Sequence, residues 1–317
     1  MQTIARTLFG EIIDYAGLFP PARLTMRDAV ARFLDHRGSS DGWMLGRFVC
    51  PATRLAELAP LVTTAEGRHS PVRLAVLGTG GDDPPTLAAT LERDLEAIAS
   101  FVSEFGAEAP IEVFELKLPT KADPAETVDF VCDQLARPGR RSPHLFFEAP
   151  LLGDWRPAVE LAARAVAVAG HEADRHRDCG LKIRCGGLEA MSVPSVEAVA
   201  GAVIAARNAE VQLKATQGLH HPFRHDDASL RTTVHGFVNL IAAAVLAKAH
   251  VLDAATVEAI VAEQDPQVFA VTGSALRWRD LEADIQAIVE GRQHAVAGFG
   301  SCSFSEPRAD LADLGWI

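Results

Sequence analysis

Cysteine is scarce and unpaired in this chain. Five thiols (Cys50, Cys132, Cys179, Cys185, Cys302) lie scattered over 317 residues with no CxxC pair. An odd set so spaced argues against a disulfide framework or a thiolate zinc site, and for a reducing cytoplasm. Tyrosine occurs once, as Tyr15. No Lys/Arg-rich run is present and the formal net charge is −12, which argues against nucleic acid or an anionic membrane as partner. The first residues, MQTIARTLFGEIIDYAG, lack the basic-then-apolar layout of a signal peptide. The greasiest stretch, Gly236 to Ala247, is a dozen residues, against the roughly 20 that span a bilayer. It reads as a buried helix or a subunit contact, which leaves a homo-oligomer open. Low-complexity tracts, short repeats and long linkers are missing too. Ala65–Ser70 reads as a polar turn, so a single domain is expected.

What is present is alternation. Short apolar stretches suited to strands fall at Glu11–Leu18, Trp43–Val49, Val72–Leu77, Ile111–Leu118, His144–Glu148, Gly180–Arg184, Val211–Thr216 and Val268–Thr272. Helix-like segments lie between them at Met26–His36, Arg54–Val62, Pro85–Phe105, Pro124–Ala136, Arg156–His171, Ser195–Arg207 and Ser229–Ala249, with a last one at Leu281–Gly291. Thr25, Thr53, Asp83, Asp123, Asp154 and Ser192 are suited to capping them. Eight strand–helix units predict a single (β/α)8 TIM barrel over residues 1–317, with Ala254–Glu263 an extra helix before strand eight. An open doubly wound sheet would want a GxGxxG turn after its first strand, and Tyr15-Ala-Gly-Leu-Phe-Pro-Pro is not one.

Strand side chains alternate between the barrel axis and the surrounding helices. With Phe114, Leu116, Leu145, Phe147, Leu181, Ile183 and Leu213 facing the helices, Glu115, Lys117, Glu148, Lys182, Arg184 and Lys214 face the axis. Four cations against two anions leave a surplus of two, in a protein that is acidic overall. An isolated buried charge costs several kcal/mol, so a self-paired network does not close on this count. A small anionic ligand, or one neutral lysine, would balance it. Arg47, ending strand two, is expected to add to anion binding. Gly186-Gly187, Gln217-Gly218 and Gly273-Ser274 follow strands six, seven and eight, where backbone N–H groups can cradle a phosphate.

The pattern Leu181-Lys182-Ile183-Arg184 with Gly186-Gly187, then Leu213-Lys214-Ala215, then Thr272-Gly273-Ser274, resembles class I lysine aldolases of the deoxyribose-phosphate aldolase kind over the last third of the chain. The resemblance implies a lyase in which Lys182 forms a Schiff base and Lys214 activates it electrostatically. Gly186, Gly187, Gly218, Gly273 and Ser274 would then hold a phosphorylated carbonyl substrate. The residues themselves allow the chemistry: a lysine attacks a carbonyl only as the free amine, and Lys214 and Arg184 nearby would favour loss of its proton. Glu148 or Glu115 could then move protons. The family's phosphate-contacting lysine is missing, since Leu188-Glu189 stands in that loop, and its catalytic aspartate has no clear match. Phosphoribosyl transfer or other non-covalent chemistry on the same cations, and a non-catalytic anion-binding barrel, are the alternatives.

The segment His220-His221-Pro222-Phe223-Arg224-His225-Asp226-Asp227 follows strand seven. His220 and His221 are candidates for substrate contact. No cofactor is expected, the alternative being a metal at His220, His221, His225 and Asp226. Asp226 or Asp227 would otherwise cap the next helix. His235 and Asn239 read as satisfied core polar groups. The run from Gly298 to Pro307 reads as a turn-rich closing loop, in which Cys302 has no histidine partner evident from spacing.

Overall fold

A computed structural model describes residues 2–63, 71–135, 143–171 and 178–317. The expected turn at Ala65–Ser70 and the last residue of one expected helix, Ala136, lie outside them. Eight parallel strands close into a barrel: β1 (Ile13–Tyr15), β2 (Leu45–Pro51), β3 (Leu74–Leu77), β4 (Ile111–Lys117), β5 (His144–Glu148), β6 (Cys179–Arg184), β7 (Gln212–Thr216) and β8 (Val296–Ser301). Neighbours in sequence pair around the ring, and β8 closes it between β7 and β1. The fold is a (β/α)8 TIM barrel.

The helical layer follows from local chemistry. Thr25 accepts a hydrogen bond from Asp28 N at the start of Met26–Arg37, and Asp83 accepts one from Thr86 N at the start of Pro84–Phe105. Ser195, not Ser192, caps Val196–Asn208, because Ala190–Ser192 forms a separate 3-10 turn before Pro194. Thr53 lies inside another such turn, Ala52–Arg54. The stretch Ala190–Asn208 has the length and mean hydropathy, 1.2, of a membrane span. Here it is broken in two, and Ala198, Val199, Ala202 and Val203 pack into the core.

Further expectations are corrected. Val268–Thr272 is not the eighth barrel strand. Phe269–Val271 pairs antiparallel with Ala275–Trp278, which pairs in turn with Leu281–Asp284, forming a three-stranded sheet apart from the barrel. The true β8 comes from the glycine-rich run taken as a closing loop. The extra helix, Ala254–Ala262, does precede it. The helix expected at Ser229–Ala249 begins later, at Phe237, and runs to His250. Ahead of it His225–Asp227 and Thr232–Val234 form a hairpin. Asp227 makes that turn, accepting from Ser229 N and Leu230 N, so neither Asp226 nor Asp227 is a helix cap.

Candidate active site

The barrel interior has an apolar cluster of Val49, Ala75, Val113 and Phe146. Against it lies a ladder of ion pairs. Lys182 Nζ on β6 is 2.7 Å from Glu115 Oε2 on β4 and 3.0 Å from Glu148 Oε2 on β5. Lys214 on β7 is 2.6 Å from Glu115 Oε1 and also pairs with Asp14 on β1. Arg184 Nε donates to Glu148 Oε1 at 2.6 Å. At the other end Arg47 reaches Asp14 at 3.7 Å and Glu112 at 3.0 Å. Charges therefore alternate along one chain of contacts: Arg47, Asp14, Lys214, Glu115, Lys182, Glu148, Arg184.

Strand register produces this. Glu148 stands opposite Lys182, and Lys182 opposite Lys214. Asp14, Glu115, Glu148, Lys182 and Lys214 are each at most 4% exposed. The strand alternation thus brought together Glu115, Glu148, Lys182, Arg184 and Lys214 as the sequence predicts. It misplaced the charge count. Lys117 is exposed at the end of β4, outside the paired set, and Asp14 joins it. Three carboxylates meet Lys182, Lys214 and Arg184, so the surplus of two is gone. The signal for Asp14 was available: Ile13 and Tyr15 face the helices, which turns the residue between them inward. Tyr15 itself packs on Phe33, His36 and Phe48, away from the barrel axis.

The ladder sets the protonation states. Burial alone would lower the affinity of Lys182 for its proton, but Glu115 and Glu148 outweigh burial and its pKa is raised. The expected proton loss driven by Lys214 and Arg184 is therefore not the resting state; both cations are masked by intervening carboxylates. Burial likewise opposes ionisation of Glu115, yet Lys182 and Lys214 pull it down to about 2. Glu148 is lowered by Lys182 and Arg184 against its own desolvation.

Arg47 is corrected. Its strand continues to Pro51, so it sits toward the amino-terminal end of the barrel rather than at the mouth. There it lines a cavity of about 460 Å³ with Glu11, His144, Gln212 and Arg292, and with Asp14 and Lys214. His144 is stacked on Phe146, and desolvation lowers its pKa to about 4.

At the mouth, Gly186 and Gly218 press backbone to backbone. A Cβ on Gly186 would lie 3.0 Å from Gly218 Cα, and Gly218 has φ +71°. These glycines join two loops, while a Cβ on Gly187 would strike Ser192. Gly273 and Ser274 belong to the turn between Phe269–Val271 and Ala275–Trp278, so they do not follow a barrel strand and cannot be placed with the others as a cradle.

The histidines have separate partners. His220 Nδ1 is 2.8 Å from Glu306 and His221 Nδ1 is 2.7 Å from Asp310. His225 Nδ1 meets the Phe223 carbonyl, and Asp226 accepts from Thr233. Among the described residues no three His, Cys, Asp or Glu side chains converge as a metal-ligand set. His235 Nε2 donates to the Pro194 carbonyl, but its Nδ1 is buried without a partner, so it is only half satisfied; Asn239 donates to the carbonyls of Ile260 and Glu263, the core role expected of it. Sequence spacing missed one neighbour: Cys302 Sγ lies 3.6 Å from His220 Nε2.

Fold and site define a class: a (β/α)8 barrel with a lysine–carboxylate ladder across its axis. No protein-family model matches the sequence, and no curated protein matches it as a relative. Among solved structures, a tetrameric deoxyribose phosphate aldolase from Aeropyrum pernix is similar over 99% of this chain and 98% of its own, with a TM-score of 0.48 and 11% identity. At that distance the likeness is one of overall shape, and the chemistry must be argued from the residues.

Proposed function

We propose that the chain is a lyase that cleaves or forms a carbon–carbon bond in a small anionic, phosphorylated carbonyl compound through a Schiff base on Lys182. The observation that carries this reading is the pair of carboxylates at 2.7 and 3.0 Å from the buried Lys182 amine. An ammonium so held is unreactive until one carboxylate takes its proton.

Arg184 supplies a trigger. Its side chain is 48% exposed while its Nε holds the buried Glu148. An anionic substrate drawing the guanidinium toward itself removes a positive charge from Glu148, whose affinity for a proton then rises. Glu115 remains ionised because Lys214, itself fixed by Asp14, still faces it. The Lys182 proton therefore passes to Glu148. The free amine attacks the carbonyl carbon, and the carbinolamine hydroxyl leaves as water with the proton from Glu148. Glu148, again a carboxylate, takes the β-hydroxyl proton as the bond between the α and β carbons breaks; its electron pair moves toward the protonated imine, an aldehyde leaves and an enamine stays on Lys182. Return of that proton to the enamine carbon and addition of water free the second product and the amine. Lys117, exposed at the end of the neighbouring strand, adds a cation for the anionic group. The loops at Gly186, Gly187 and Gly218 and the histidines His220 and His221 border the same mouth. The ligand class implied is a small metabolite met in a reducing cytoplasm, with no resident cofactor, by a chain that assembles with copies of itself.

Incubation with small phosphorylated aldehydes and ketones, followed by borohydride, tests the reading. The expected result is a covalent mass gain in the wild-type chain that Lys182→Ala loses. No adduct with wild type, or an equal adduct in Lys182→Ala, ends it.

A further inference from the structure

Outside the ladder, one cluster of reactive groups is left unused by the proposed lyase chemistry. Cys302 directly follows β8, and its Sγ lies 3.6 Å from His220 Nε2, in the loop after β7. The other ring nitrogen of His220 is 2.8 Å from Glu306 Oε2, on the helix Ser305–Asp313 that follows. One turn along that helix Asp310 holds His221 in the same way, so two consecutive histidines are fixed on two turns of one helix. Sulfur, imidazole and carboxylate are thus in line at the carboxyl ends of the strands, where the active sites of this fold lie.

The arrangement differs from that of the structural thiols. Cys50 and Cys185 are buried, and desolvation pushes both up to about 12. Cys302 is partly exposed beside an imidazole. His220 is raised to about 9, by Cys302 first and by Glu306 against its own burial, so it is a cation at neutral pH. From β1, Tyr15 also senses the sulfur, and its phenol is raised by burial with Cys302 contributing. Reactive cysteines occur in such settings, partly exposed and next to a histidinium.

We propose that Cys302 is a second nucleophile of the barrel mouth, activated by His220 and oriented through Glu306, which adds reversibly to small aldehydes. In the reacting pair the thiol proton of Cys302 has passed to His220 Nε2; the sulfur bonds to the carbonyl carbon, and the carbonyl π pair moves onto oxygen. That oxygen takes the proton from His220 Nε2, which leaves a neutral imidazole on Glu306 and a hemithioacetal on Cys302. Reversal returns the proton and the aldehyde. Addition needs only the pair in place; displacing a leaving group would also need donors for a tetrahedral oxyanion. The step does not involve Lys182.

The test follows alkylation of each cysteine by iodoacetamide, read by peptide mass spectrometry near neutral pH, in the folded and the urea-unfolded chain. Cys302 in the folded wild type is expected to react about tenfold faster than in the unfolded chain. His220→Gln should abolish that gain and Glu306→Gln reduce it. Propanal should protect Cys302, dialysis should restore its reactivity, and both effects should persist in Lys182→Ala. A folded Cys302 no faster than the unfolded one, or no protection by propanal, overturns the proposal. Because the folded and unfolded wild type are compared directly, a variant that fails to fold does not spare it. Protection in a chain that borohydride cannot trap would refute the Lys182 reading alone.

Discussion

Glu115 is the residue on which both buried lysines depend, paired with Lys182 through one oxygen and with Lys214 through the other. Removing its charge leaves two buried ammonium groups each short of one partner. Glu115→Gln is therefore expected to lower stability by about 3–5 kcal/mol, the cost of breaking a buried pair. The exposed pair Arg156–Glu197, at 2.6 Å, is the contrast: Glu197→Gln should cost under about 1 kcal/mol. Urea unfolding of both variants measures the difference, and equal losses would contradict it.

The same groups fix the response to acid. Burial lowers His144 and His235 from 6.5 to about 4, so each is neutral when folded and takes a proton more readily when unfolded. Their contribution is complete above pH 6.5 and is lost as pH falls toward 4. Glu115, ordinarily near 4.5 and held at about 2, contributes above 4.5 and is lost as pH falls through 2. Lys182 has the opposite sign, since its raised value keeps its contribution at neutral pH and loses it only in strong alkali. Urea midpoints measured against pH should fall in two overlapping stages on the acid side, and His144→Gln should flatten the first. A wild-type midpoint constant from pH 6.5 to 4 would contradict this.

At the scale of elements, seven of the eight barrel strands were legible because each pairs an apolar outward face with a bounded length. The eighth was not. Val296–Ser301 reads VAGFGS, and glycine weakens a strand signal because it offers no side chain to pack. The FAV run at 269–271 has the expected apolar character, yet periodicity cannot distinguish a barrel strand from an antiparallel one. Pairing partners, not local pattern, decide that. The glycines of β8 do have a physical reason. A Cβ on Gly298 would lie 2.5 Å from the Ile12 carbonyl oxygen, and its φ is +154°. This is where β8 meets β1 to close the ring. Gly298→Ala should cost about 2 kcal/mol or more in urea unfolding, and no loss would place the closure elsewhere.

Across the whole molecule, alternation along β4 to β7 was enough to find the interior charges, because strand side chains have only two directions to take. On β1, three residues long, the same signal was present but short, and Asp14 was left out; nor did alternation show that Arg47 sits below the mouth. It could not bring Cys302 to His220, which are 82 residues apart and meet only through the order of β7 and β8 in the ring. The barrel spans its axis with alternating charges, from Arg47 beside the amino-terminal cavity to Arg184 at the opposite end. That order gives the lysines different surroundings. Lys214 is held between two buried carboxylates, whereas one neighbour of Lys182 shares its charge with a half-exposed guanidinium.

The direct measurement is the location of the borohydride-reduced adduct. Proteolysis and mass spectrometry of the trapped chain should find the substrate carbon skeleton on Lys182, with Lys214 and Lys117 unmodified. An adduct on Lys214, or one spread over exposed lysines such as Lys117, would contradict the account.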